Sequence, residues 1–182
     1  MLRFISKLIF KITGWKTVGE IPKNIKKYVI ITAPHTSNWD FVIGRLAFSI
    51  FKLNGYFIIK KELFFLPLNI ILKLFNAIPV DRKKGDIVHQ VVNYFNKYDN
   101  FCIIITPEGT RKAVKKWKEG FYMIATAAKV PIVIGYLDYK KKEIGFKDVF
   151  YPTGNKDIDI KKIQSYYKGL TAKYPNNFIL PE

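Results

Sequence analysis

The run Tyr28-Val29-Ile30-Ile31-Thr32, followed by Ala33-Pro34-His35-Thr36-Ser37-Asn38-Trp39-Asp40-Phe41, decides how the rest of the chain is read. Its first five residues are mostly apolar and β-branched, the pattern of a strand buried on both faces. The segment from Phe41 to Phe51 reads as a helix. A strand that feeds a helix through a short loop belongs to an α/β sheet, and ligands of such sheets gather at the carboxyl ends of the strands. His35 sits at that end and is one of only two histidines in the chain. A neutral imidazole can take a proton from a hydroxyl near pH 7 when a carboxylate holds its other nitrogen. Asp40 can serve if the chain turns tightly, and Thr36, Ser37 and Asn38 are turn and cap formers. Ser37-x-x-Asp40 also fits a capping box, in which Asp40 serves only the helix. The spacing alone supports both readings.

Outward from this stretch, apolar runs alternate with helical patterns. Strands are expected at Tyr56–Ile59, Ile78–Val80, Phe101–Thr106 and Val130–Tyr139. Glu143–Phe150 should return as a hairpin after the basic turn Lys140-Lys141-Lys142. Helices are expected from Asn38 to Lys52, stopped at Asn54-Gly55. Others should run from Asp86 to Lys97 with Asp86 as N-cap, from Gly120 to Lys129, and from Asp157 to Lys173. Leu63–Asn76 is apolar nearly all round, so it reads as a helix in the core or on the wall of an apolar pocket. Trp15 to Lys27 reads as a connector with turns at Gly14, Gly19 and Pro22, and Tyr174 to Glu182 as an irregular tail. The alternation predicts one α/β domain over 1–182, with a mixed, mostly parallel sheet and helices on both faces.

Composition narrows the partners. The net charge is +17, with a hydrophobic fraction of 49% and an aromatic fraction of 16%. Such charge favours an anionic partner. No nucleic-acid-binding motif is visible, and the basic residues are spread along the chain. Arginine occurs only at Arg3, Arg45, Arg82 and Arg111. No metal-ligand cluster is present, and the lone cysteine, Cys102, lies in a strand and cannot form an internal disulfide. No run of about 18 uninterrupted apolar residues occurs, so no conventional membrane span is expected. The start of the chain lacks the cleavage site of a signal peptide. Met1–Lys16 reads as an amphipathic helix, with Leu2, Ile5, Leu8, Ile9 and Ile12 on one side and Arg3, Lys7 and Lys11 on the other. Such a helix lies on an anionic membrane or packs on the protein's own core.

Four blocks, in order, give the chain a family likeness. His35-x4-Asp40, Ala77-Ile78-Pro79-Val80-Asp81-Arg82, Thr106-Pro107-Glu108-Gly109-Thr110-Arg111 and Val130-Pro131-Ile132-Val133 resemble the blocks of glycerolipid acyltransferases of the lysophosphatidic acid acyltransferase type. Pro34, Lys112 and Ile134 depart from the residues common in that family, but none removes a group the chemistry needs. The resemblance implies transfer of a fatty acyl group from acyl-coenzyme A or acyl-carrier protein to a lysophospholipid hydroxyl, with no other cofactor. It implies His35 as base and Asp40 as its partner, with Arg82, Glu108, Gly109, Thr110 and Arg111 binding substrate. It also implies a peripheral protein on the cytoplasmic face of an anionic membrane, for which the amphipathic Met1–Lys16 is the candidate attachment. A non-catalytic lipid carrier on the same fold is the rival reading, and the intact His35–Asp40 spacing weighs against it.

Overall fold

The computed structural model of the protein describes residues 2–21 and 24–181. The chain opens with helix α1 (Leu2–Thr13) and a short strand β1 (Lys16–Val18). There follow β2 (Lys27–Ala33), α2 (Asn38–Phe51), β3 (Gly55–Lys60), α3 (Leu68–Leu74), β4 (Ala77–Val80), α4 (Ile87–Lys97) and β5 (Phe101–Ile105). Helix α5 (Gly120–Ala128), strands β6 (Ile132–Asp138) and β7 (Glu143–Phe150) and helix α6 (Lys156–Ser165) complete it. The strands form one sheet in the order β1-β7-β6-β2-β5-β3-β4. Strand β2 runs parallel to β5 and β6, and β3 runs parallel to β5 and β4. The carboxyl ends of five strands, β2 to β6, therefore open on one edge of the sheet. Only the β6–β7 hairpin brings antiparallel pairing.

Helices cover both faces because the central strands are apolar on both. Val29, Ile31 and Ala33 of β2 face Phe95 of α4, Phe121 and Ile124 of α5, and Ile163 of α6. Tyr28 and Ile30 face the other way, in a cluster that Phe51 of α2 covers. Every residue of β6 is buried. Each such isoleucine contributes roughly 1.5–3 kcal/mol by leaving water. Helix α1 lies outside α2: its Phe10 joins Ile43 and Ala47 of α2 over Leu137 and Ile144.

The expected elements form, with instructive differences at their ends. Asp86 caps α4 by accepting the His89 N–H. Helix α2 stops earlier than Asn54-Gly55: Lys52 takes the left-handed conformation at φ 59° and returns its N–H to the carbonyls of Phe48 and Ser49. Gly55 instead opens β3, where a Cβ would fall 2.4 Å from Ile104 Cδ1. The connector after α1 contains β1, which pairs with β7. Helix α6 ends at Ser165 rather than Lys173, because Gly169 adopts φ 77° and turns the chain back. The turn lets Tyr167 sink completely into the core and brings the Thr171 carbonyl to the Tyr139 N–H. The tail contains one helical turn, Pro175–Asn177. Met1, Pro22 and Glu182, which fall in the expected first helix, connector and tail, lie outside the described residues.

The largest correction concerns Leu63–Asn76. It is not one buried helix. Pro67 marks the start of the short α3, none of whose residues is buried, and Phe65, Leu66, Ile70 and Leu74 are exposed. With only the edge strand β4 beside it, this apolar segment is neither core nor pocket wall.

Candidate active site

The loop after β2 resolves the two readings of Asp40 into one arrangement. Ser37 is the N-cap of α2, and the capping box with Asp40 is complete. The same carboxylate also meets the histidine, with His35 Nδ1 3.1 Å from Asp40 Oδ2. The N–H groups of Thr36 and Ser37 donate to that oxygen at 2.8 and 2.9 Å. Capping is therefore how the helix start holds the carboxylate still. Burial by itself would raise the Asp40 pKa. The hydrogen bonds from His35, Tyr139, Ser37 and Thr36 outweigh it and hold the carboxyl below its usual range. Asp40 stays ionised, and His35, with 24% of its side chain exposed, keeps Nε2 for another partner.

Parallel pairing brings the other blocks to this loop. Strand β5 neighbours β2, so the turn after β5 reaches His35 directly. Glu108 Oε1 accepts the His35 backbone N–H at 2.8 Å. Glu108 is 3% exposed, and its other oxygen has no partner among the described residues. Burial pushes its pKa up to about 7, with the hydrogen bond from His35 opposing the rise. Gly109 sits at φ 64°, where a Cβ would meet the Lys118 side chain at 2.7 Å. Its N–H donates to the Thr106 carbonyl at 3.0 Å, so that amide is already used. Arg111 donates to the Asn38 side chain at the head of α2.

Arg82 arrives from β4, two strands beyond β5. Its loop is clamped by Gln90 of α4, whose amide bonds the Asp81 N–H, the Asp81 carbonyl and the Gly85 carbonyl, each at 2.9 Å. Among the described residues the Arg82 guanidinium has no hydrogen bond or ion pair.

These groups share one cavity of about 730 Å³. His35, Asp40, Arg82, Gly109, Thr110 and Arg111 all line it, whereas Glu108 lies behind the wall. Much of the remainder is apolar and runs between α2 and the sheet, past Phe48, Phe51, Phe57, Ile104 and Phe146, although Arg45, Lys118, Thr32 and Thr106 also line it. Gly44, Ala47, Phe48 and Phe51 repeat at helical spacing along the face of α2 that looks into it. A Cβ at Gly44 would meet nothing within 4 Å, so this glycine widens the space. A cavity of this size and lining suits one long apolar chain with a polar group at its mouth.

Two contributors were not legible in the sequence. Gln90 carries no motif. Tyr139, at the carboxyl end of β6, donates its O–H to Asp40 Oδ1 at 2.6 Å across 99 residues of sequence. Only the β2–β6 pairing shows that these two loops meet.

With the fold and the site in view, the chain belongs to the acyltransferase family, whose model matches residues 15–134. The fold is similar to that of the crystal structure of the 1-acyl-sn-glycerophosphate (LPA) acyltransferase PlsC from Thermotoga maritima. That likeness has a TM-score of 0.63 at 20% identity and covers 92% of this chain and 75% of that one. No curated protein sequence matches this chain.

Proposed function

We propose that this protein, acting as one domain, transfers a fatty acyl group from an acyl thioester to the free hydroxyl of a lysophospholipid. The acceptor that suits its groups best is 1-acyl-sn-glycerol-3-phosphate. The observation that carries this reading is the His35–Asp40 pair, 3.1 Å apart, in the lining of a largely apolar cavity that Arg82 and Arg111 also line. An acyl chain fills the space beneath α2. The acceptor phosphate meets Arg82 and Arg111, whose planar guanidinium groups suit phosphate oxygens, and Thr110 adds a hydroxyl. His35 Nε2 takes the acceptor hydroxyl proton while Asp40 stabilises the imidazolium that forms. The acceptor oxygen bonds to the thioester carbonyl carbon, the carbon–sulfur bond breaks, and the thiolate leaves with the proton from His35. Glu108 acts on the backbone of His35 rather than on substrate. The exposed lysines 112, 115, 116 and 118 suit the phosphates of coenzyme A or of an acyl-carrier prosthetic group.

A lipid substrate asks for a lipid surface. Leu2, Phe4, Leu8 and Ile12 of α1 are exposed, as are Phe65, Leu66, Ile70 and Leu74 around α3. Phe75, at the end of α3, packs against Phe41 on the cavity wall, with ring centroids 5.9 Å apart. Among the described residues no helix is long and apolar enough to cross a membrane. Both apolar faces fit the interfacial region of an anionic leaflet, with the positive charge adding attraction.

The test is thiol release from acyl-coenzyme A and from acyl-carrier protein, in anionic vesicles with and without 1-acyl-glycerol-3-phosphate. Acceptor-dependent release with formation of the diacyl product is the expected result. Lipid binding without release, across a panel of lyso-lipids and both donors, would replace this reading with a carrier.

A further inference from the structure

We infer that Tyr139 is a positioning residue for the His35–Asp40 pair, and that Trp15 seats it against the amino-terminal helix. The inference rests on the acyltransfer reading and deepens it. Asp40 has two carboxylate oxygens, and the structure assigns each a task. Oδ2 meets His35 Nδ1 and the N–H groups of Thr36 and Ser37. Oδ1 takes the Tyr139 O–H at 2.6 Å. Free rotation about the last bond of an aspartate would exchange the two oxygens and break the contact with His35. Helix capping restrains that rotation from one side, and Tyr139 restrains it from the other.

Tyr139 is itself held at both ends. Its backbone N–H donates to the Thr171 carbonyl at 2.9 Å. Its ring meets Trp15 edge-on, with centroids 5.1 Å apart, and Trp15 lies 6.3 Å from Phe10 of α1. Burial and the bond to Asp40 push the Tyr139 pKa well above the ordinary phenol range, so it remains a hydrogen-bond donor at every working pH. A continuous set of contacts thus runs from α1 through Trp15 and Tyr139 to the carboxylate that orients His35. The helix that exposes its apolar side chains to the surroundings shares a packed boundary with the catalytic loop.

The bond has a chemical as well as a geometric effect. A donor on Oδ1 draws charge away from Oδ2. Without it, more charge rests on Oδ2 against His35, which sets the direction in which the rate profile should move. The other titratable and charged groups facing the pair come from separate elements. They are Glu108 from the turn after β5, Tyr174 beside Thr36, and Arg45, Arg82, Arg111 and Lys118, which line the same cavity as the pair. All are left in place by a change at Tyr139.

The experiment compares wild type, Tyr139→Phe, Trp15→Leu and His35→Ala in the vesicle assay, with a thermal melt of each. Tyr139→Phe keeps the ring on Trp15 and removes one oxygen. Its kcat should fall about ten- to a hundredfold with KM changed less than twofold. The acid limb of its rate profile should move up by roughly half to one pH unit. Trp15→Leu keeps the hydroxyl but frees the ring, and should lower kcat by less. In one-dimensional proton NMR the downfield His35 Nδ1–H signal should broaden in Tyr139→Phe and be missing from His35→Ala. Wild-type kcat and an unmoved acid limb in Tyr139→Phe, alongside an inactive His35→Ala, would overturn this inference and leave the acyltransfer reading standing. So would a loss confined to KM. Full turnover by His35→Ala would overturn the underlying reading itself.

Discussion

Replacing Glu108 with glutamine should stabilise the protein above neutrality and leave it almost unchanged in acid. The carboxyl is 3% exposed, with one oxygen accepting from His35 and the other unpartnered among the described residues. Burial raises its pKa from the ordinary 4.5 to about 7. Between those values the folded protein keeps a proton that the unfolded chain has released. Stability therefore falls as pH rises through that window, and above pH 7 the whole cost of the buried charge is present. At about 1.4 kcal/mol for each pH unit between 4.5 and about 7, the cost is about 3 kcal/mol. Glutamine carries no charge and can still present its carbonyl oxygen to the His35 N–H. Urea denaturation of both proteins from pH 4.5 to 8.5 measures the difference. Groups such as Asp40 titrate in both proteins and cancel. The variant should gain stability through the window, reach about 3 kcal/mol near pH 8, and gain no more beyond it. A difference that stays constant with pH would refute the argument, because a lost or gained contact does not titrate.

Other outcomes follow from the same geometry. Arg82→Ala should raise KM for a phosphate-bearing acceptor by about ten- to a hundredfold, the worth of a charged hydrogen bond. It should leave acceptors without the phosphate unaffected, which steady-state kinetics on paired acceptors would show. Gly44→Leu fills space beneath α2 where a Cβ now meets nothing. It should shift donor preference to shorter acyl chains, with about 0.8 kcal/mol forfeited for each displaced methylene. The helix itself should be slightly more stable, since glycine is a poor helix former, so a melt separates the two effects. The double change Leu66→Ser and Leu74→Ser should weaken sedimentation with anionic vesicles while leaving turnover of a detergent-dispersed acceptor intact.

How much was visible beforehand depended on how local each signal is. Strand β2, its loop and α2 were legible because an apolar run, a cap and a helix follow one another within 25 residues. The two readings of Asp40 looked like alternatives because sequence spacing records neighbours, not how many bonds one carboxylate can accept. The structure shows that the capping residue and the histidine's partner are one residue. The segment 63–76 misled because apolar side chains are usually buried. Its exposure is set by which strand lies beneath it, and β4 is an edge strand. Tyr139 and Gln90 could not be found at all. Each acts through a strand pairing or a helix packing that no spacing rule encodes. Glu108 was expected to bind substrate, but its place behind the cavity lining, with one oxygen on the His35 N–H, became apparent only once β2 and β5 were seen side by side.

The central claim is that His35 removes the acceptor's proton. Its most direct test is the single-turnover rate of acyl transfer at saturating donor and acceptor, for wild type and His35→Ala, across pH. The account predicts a fall of about 10²–10⁴ in the variant. It also predicts that the acid limb present in wild type disappears. A variant that transfers at the wild-type rate, or keeps the same acid limb, would contradict it.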